Sequence, residues 1–126
     1  MDLFCKKSGR NYLMATEQQI QKQIITYLES LGAYVVKVIT ANHTGVADVH
    51  CCLNGRWISI ECKRPGESPD PLQTHHLQMV QKAGGLSTWA TSVDQVKDFL
   101  AQHNLTQSKD EIWHLVILNF YLLYLL

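Results

Sequence analysis

Two carboxylates and a lysine are the residues of this chain whose types and spacing point most directly to chemistry. Glu61 and Lys63 lie two apart in the run Arg56-Trp57-Ile58-Ser59-Ile60-Glu61-Cys62-Lys63, where apolar and polar residues alternate. In a strand, that spacing puts Trp57, Ser59, Glu61 and Lys63 on one face, with the Glu61 and Lys63 Cα atoms about 6–7 Å apart. Ile58, Ile60 and Cys62 form the opposite, apolar face. Upstream, Ala47 to Leu53 reads as a second strand, joined to the first by Asn54-Gly55, the strongest two-residue hairpin signal. If Leu53 pairs with Arg56, the same register sets Asp48 opposite Glu61. Opposed carboxylates repel unless positive charge lies between them. A hard divalent cation together with Lys63 would supply it. The plain alternative is a solvated polar strand face, since Glu-x-Lys alone is a common chance occurrence. The combination is more specific: Gly45-Val46-Ala47 turns the chain into Asp48, and the hairpin returns Glu61-Cys62-Lys63 to its side.

The surrounding elements must hold that arrangement. Thr16 is a good helix N-cap with Gln19 at the capping-box spacing. Ile20, Ile24, Tyr27, Leu28 and Leu31 then recur at helical intervals until Gly32. Tyr34 to Ile39 is a β-branched strand, and Asn42 to Gly45 a polar loop. After the hairpin, Arg64 to Asp70 is a loop containing Pro65, Gly66 and Pro69. Asp70 caps a helix that begins at Pro71. Leu72, His76, Val80 and Ala83 are expected to line its inner face, and Gly84-Gly85 ends it. Leu86 to Ala90 is a further strand. Ser92, with Gln95 three residues on, opens a helix striped by Val93, Val96, Phe99 and Leu100. The order is α-β-β-β-α-β-α, an α/β domain with a mixed sheet.

Composition bounds the answer. The 126 residues suffice for one domain, and 46% are apolar, as a packed core requires. Eleven basic residues balance eleven acidic ones, which argues against bulk-charge binding to nucleic acid. The charge is uneven, however. Residues 1–66 carry eight basic and five acidic side chains, while residues 67–126 carry three and six. Cys5, Cys51, Cys52 and Cys62 include no Cys-x-x-Cys pair, so reduced thiols are expected rather than a zinc site. No leader-like apolar segment follows the basic start. Three segments are expected: a loosely ordered basic arm over 1–15, the domain over 16–105 and an apolar tail over 106–126. Between Ile112 and Leu126 only His114 and Asn119 are not apolar. A helix of that length falls short of the hydrocarbon core of a bilayer, so burial against the domain or a partner subunit is expected, with a weak membrane anchor or a tail from outside the original fold as the alternatives.

Together, Glu17 with Ile20-Gln21, Gly45-Val46-Ala47-Asp48, Glu61-Cys62-Lys63-Arg64-Pro65-Gly66, Leu72-Gln73 and Ala83-Gly84-Gly85 resemble the VRR-NUC branch of the PD-(D/E)XK nuclease superfamily, in particular its small standalone phage and prophage members. The resemblance covers about residues 16–100. It implies a restriction-endonuclease-like α-β-β-β-α-β core, with helices flanking a mixed sheet. It also implies a Mg²⁺- or Mn²⁺-dependent deoxyribonuclease with a preference for branched, Holliday-junction-like DNA. Asp48, Glu61, Lys63, Gln73 and Glu17 would be catalytic. Asp48, Glu61 and the backbone carbonyl of Cys62 would hold the metal, with Glu17 contributing through water. Lys37, His43, Arg56 and Arg64 are candidate DNA contacts. A homodimer in the cytoplasm of a bacterial host is expected, with no small-molecule cofactor and no membrane. The alternative is a nuclease fold that binds DNA or a protein without cutting. Cys62 replaces the usual Val or Ile and Ala47 the more familiar Pro or Ser. The apolar tail has no counterpart in the family. His75 and His76 are expected on a solvated helix face, and Trp57 and Trp89 in packing roles.

Overall fold

A computed structural model of the chain describes residues 4–7, 10–106 and 109–126, with side chains described over 14–106 and 113–126. Thr16 opens the first helix of the domain, α1 (Glu17–Ser30), through a complete capping box with Gln19. Three antiparallel strands follow: β3 (Tyr34–Lys37), β4 (Val49–Leu53) and β5 (Arg56–Cys62). Two strands precede α1, β1 (Phe4–Lys7) and β2 (Arg10–Leu13), paired antiparallel. The arm expected at the start of the chain is therefore a hairpin over these residues.

Helix α2 (Pro71–Lys82) crosses from β5 to β6 (Leu86–Ala90), which pairs parallel to β5. The sheet order is β3-β4-β5-β6. Helix α3 (Val93–Gln102) closes the domain. The α-β-β-β-α-β-α order and the mixed sheet agree with the sequence reading. Strands β3 and β4 are shorter than expected, because the Ile39–Asp48 stretch leaves the ladder as a loop.

One sheet face is apolar. Val49, Cys51 and Leu53 of β4 and Ile58, Ile60 and Cys62 of β5 meet Ile20, Ile24 and Leu28 of α1 and Val96 and Leu100 of α3. Asn54 (φ 51°) and Gly55 (φ 78°) take the left-handed conformations that a two-residue hairpin needs. Asn54 also donates from Nδ2 to the Leu105 carbonyl at 3.2 Å, tying the turn to the chain after α3.

The other face is exposed at Trp57 but buried at its polar residues Ser59 and Glu61, contrary to the plain expectation for such a strand. Ser59 and Glu61 are as buried as the core. Trp57 Nε1 donates to Ser59 Oγ at 3.0 Å, and His50 Nδ1 lies 2.7 Å from the same oxygen. Helix α2 lies against this side, anchored by Ser87 Oγ donating to the Leu77 carbonyl at 2.6 Å. Leu77 is the buried residue of α2, whereas Leu72 is exposed, which corrects the inner face expected for this helix. His76 and Val80 keep the expected side, and Gln73 and Leu77 complete the inner face in place of Leu72 and Ala83, a small rotation about the helix axis.

Helix α4 (Lys109–Leu125) follows. Its described side chains, 113–126, are exposed, so burial against the domain is not what the fold does with them. Among the described residues no helix is long and apolar enough to cross a membrane.

Candidate active site

Asp48 lies one residue ahead of β4, and two bonds fix it there. Its carbonyl accepts from Val38 N at 2.8 Å, and its Oδ2 accepts from Cys62 N at 2.9 Å. The Val49–Ile60 pairing continues by one step to bring Asp48 beside Glu61, as the hairpin register requires. The loop before Asp48 is held by close packing. Gly45 has φ +91°, and an added Cβ would lie 2.7 Å from Leu72 Cγ and 3.2 Å from His76 Cδ2. The loop thus rests directly on the first turns of α2.

Glu61 is 1% exposed. Its Oε1 accepts from Gln73 Nε2 at 2.6 Å and lies 3.5 Å from Lys63 Nζ. Its Oε2 is buried without a hydrogen-bond partner. Burial, with the Asp48 charge adding to it, pushes the Glu61 carboxyl up to about 7, against the pull of Lys63. The side chain therefore resists ionisation until more positive charge arrives.

Gln73 is held from both ends. Asp70 Oδ1 accepts from Gln73 N at 2.8 Å, and Gln73 Oε1 accepts from Asp70 N at 3.0 Å. This capping box engages the amide oxygen and leaves the NH₂ group for Glu61. The double role of Gln73 was not anticipated, although Asp70-x-x-Gln73 spells the capping box in the sequence.

The structure brings Asp48, Glu61, Lys63 and Gln73 together. Glu17, in the first turn of α1, adds a small contribution to burial in disfavouring ionisation of Glu61 and Cys62 through its negative charge, although no described hydrogen bond joins it to Asp48 or Glu61. Lys37 ends β3 and its charge reaches Cys62. An open cleft beside it is lined by Gln18, Lys22, Ile25, Thr26 and Lys37. Lys22 adds a cation that sequence reasoning had not singled out. His43 sits near α2, with its ring 6.0 Å from that of His76. Arg64 pairs with Glu67. Arg56 lies at the far end of β5, about 20 Å along the strand from Cys62. It is thus separated from the carboxylates.

Among the described residues no three His, Cys, Asp or Glu side chains gather as a metal cluster. What the fold supplies is a pair of hard oxygen donors, and these fit a divalent cation. The unpartnered Oε2 of Glu61 is a buried acceptor lacking positive charge, and Asp48 raises the demand for it.

Comparison with known proteins agrees with this geometry. A solved VRR-NUC domain superposes with a TM-score of 0.60 and 29% sequence identity, over 71% of this chain and 98% of that one. The chain carries a VRR-NUC domain. A curated protein of Acyrthosiphon pisum secondary endosymbiont phage 1, named "Putative nuclease p44", is 36% identical over 58 residues. That match covers 45% of this chain and 62% of the relative, so the VRR-NUC chain spans somewhat under two thirds of the relative's length. No protein-family model matches the chain.

Proposed function

We propose that this VRR-NUC domain is a Mg²⁺- or Mn²⁺-dependent deoxyribonuclease acting on branched DNA. The observation that carries the reading is Glu61: a buried carboxylate with one oxygen bonded by Gln73, the other bare, and Asp48 and Lys63 beside it. The side chains of Asp48 and Glu61 and the Cys62 carbonyl would hold the metal, with Glu17 reaching it through water. When bound, the metal supplies polarisation of the phosphate and a more acidic water.

The chain's own residues supply the rest. Cys62 N–H fixes Asp48, and Gln73 fixes Glu61, so neither carboxylate must be ordered when substrate arrives. Lys63 orients the attacking water and offsets the negative charge that grows on the phosphate oxygens. Water adds to phosphorus, the P–O bond to the leaving sugar breaks, and the leaving oxygen takes up a proton. Lys37 with Lys22, and His43 near α2, would contact flanking phosphates. The proposed setting is the cytoplasm of a bacterial host, in keeping with the phage origin of the relative.

The test is cleavage of a four-way junction and of the matching linear duplex with Mn²⁺ present and absent. Wild type should cut the junction faster than the linear duplex, and Glu61→Ala should be inactive. Equal cutting by both proteins would overturn the assignment.

A further inference from the structure

Two tryptophans lie on the polar face of the sheet, and the fold treats them differently. Trp57, near the start of β5, is tied down. Its Nε1 donates to Ser59 Oγ at 3.0 Å, and its ring stacks on His50 with centroids 5.2 Å apart. A Cβ on Gly85 would lie 3.2 Å from its Cδ1, so the turn before β6 closes on it as well. Trp57 thus has the packing role expected of it.

Trp89 has no such support. Its partner across the parallel β5–β6 ladder is Glu61. Cross-strand partners share a face, and neighbouring strands lie about 5 Å apart, so the indole starts beside the carboxylate. Ser87, two residues earlier on β6, is buried and bonded to Leu77, which fixes that face as the α2 side. Yet Glu61 is 1% exposed and Trp89 42%. Gln73, in the first turn of α2, covers the carboxylate and leaves the indole open. Among the described residues neither a hydrogen bond nor a ring contact holds that indole. A single exposed apolar side chain is ordinary. What distinguishes Trp89 is its place, beside the group that a phosphate must approach.

The substrate's chemistry says what a flat apolar ring can take there. Phosphate and sugar are polar, and the base is the flat aromatic part. In a stacked duplex the faces of each base are covered by its neighbours, so a side chain next to the phosphate meets only backbone. A base displaced from the stack exposes a face. The indole then replaces the lost stacking partner. Stacking also supplies affinity without basic charge, and this chain has no excess of it, with eleven basic residues against eleven acidic.

We propose that Trp89 is a substrate-recognition residue that stacks on a displaced base next to the scissile phosphate. The inference rests on the nuclease reading and narrows it. The substrate class is DNA with an unpaired or unstacked nucleotide at the cut, as at a branch point.

The test begins with Mn²⁺ cleavage of a four-way junction, which maps the cut. 5-Iododeoxyuridine is then placed beside that phosphate, and the full chain is irradiated on this DNA with Ca²⁺ replacing Mn²⁺. Peptide mapping should find the cross-link at Trp89, a result that needs no variant to fold. Trp89→Ala should lower kcat/KM on the junction roughly 5–150-fold, the usual worth of one stacked base. It should also lower the ratio of junction to linear-duplex cutting. Trp89→Phe keeps an aromatic face and should recover most of that ratio. A merely structural indole would slow both substrates alike and leave the ratio unchanged. A wild-type cross-link elsewhere, or an unchanged ratio in Trp89→Ala, overturns the inference and leaves the nuclease reading standing. A wild type that cuts neither substrate overturns the nuclease reading and this inference with it.

Discussion

Gln73 Nε2 donates to Glu61 Oε1 at 2.6 Å, while the Oε1 of the same Gln73 side chain caps α2 at Asp70 N. One amide therefore couples the start of a helix to the buried carboxylate of a strand. Gln73→Leu should break both links. Loss of the box should lower stability by about 1 kcal/mol. Release of Glu61 should weaken Mn²⁺ binding by roughly 10–100-fold. Gln73→Glu keeps an oxygen for the cap but sets a carboxylate against Glu61, so it should keep the helix and still lose metal affinity. Thermal melts and titration calorimetry separate the two effects.

The buried carboxyl of Glu61 makes metal-free stability depend on pH. Its ordinary value is 4.5 and its folded value about 7, so between these the folded chain binds more protons than the unfolded one. The stabilisation from the retained proton is complete below about pH 4.5 and is lost as pH rises through 7. His50 acts in the opposite sense, since burial lowers its ionisation and favours its neutral form. The informative quantity is therefore the difference between proteins. Relative to Glu61→Gln, wild type should lose melting temperature steadily from pH 5 to pH 7.5, and saturating Mn²⁺ should restore it. Parallel curves would show that Glu61 titrates normally.

Asp48 contributes charge as well as an oxygen ligand. Asp48→Asn keeps the shape and an acceptor for Cys62 N, but removes the repulsion that raises Glu61. Carboxyl NMR should find Glu61 titrating lower than in wild type, and calorimetry should find Mn²⁺ binding abolished.

Gly45 tests the loop that delivers Asp48. Gly45→Ala meets both a positive φ and Leu72 Cγ at 2.7 Å, so a cost of about 1–3 kcal/mol is expected. Urea unfolding measures it. A neutral substitution would mean that the loop and α2 are not in contact.

The thiols should differ in reactivity. Cys51 is buried with its ionisation pushed up to about 11, and Cys62 is buried and pushed up further, whereas Cys52 is exposed. Reaction requires the thiolate and access to it. Iodoacetamide at pH 8 should modify Cys52 and spare Cys51 and Cys62 in the folded protein, as peptide mapping would show.

Local signals were the legible ones. Thr16, Asp70 and Ser92 each open a helix as their side chains dictate, and Asn54-Gly55 set the register that carries Asp48 to Glu61. What stayed hidden depended on contacts between elements. The polar face of β5 alternates like a solvated strand, and only the docking of α2 through Ser87 and Leu77 buries Ser59 and Glu61. The same docking turned Leu72 outward and Leu77 inward. Arg56 looked equivalent to Arg64 in the sequence, but strand length separates it from the carboxylates. The pairing of β1 with β2 had a signal in the Ser8-Gly9 dipeptide between Lys7 and Arg10, but the short, basic flanking runs lack the apolar alternation that marks a strand.

The Asn54-Gly55 hairpin makes chain length at the turn and chain length within the strands unequal in effect. Residues added at the tip lengthen a loop and leave every pair from Leu53–Arg56 inward unchanged. A single residue added between Arg56 and Glu61 reverses the faces of all that follow, sending Glu61 toward Ile60's side of the sheet and Cys62 toward Gln73. Insertions inside β5 are therefore tolerable only in pairs, and evolution of this hairpin is constrained by parity more than by size.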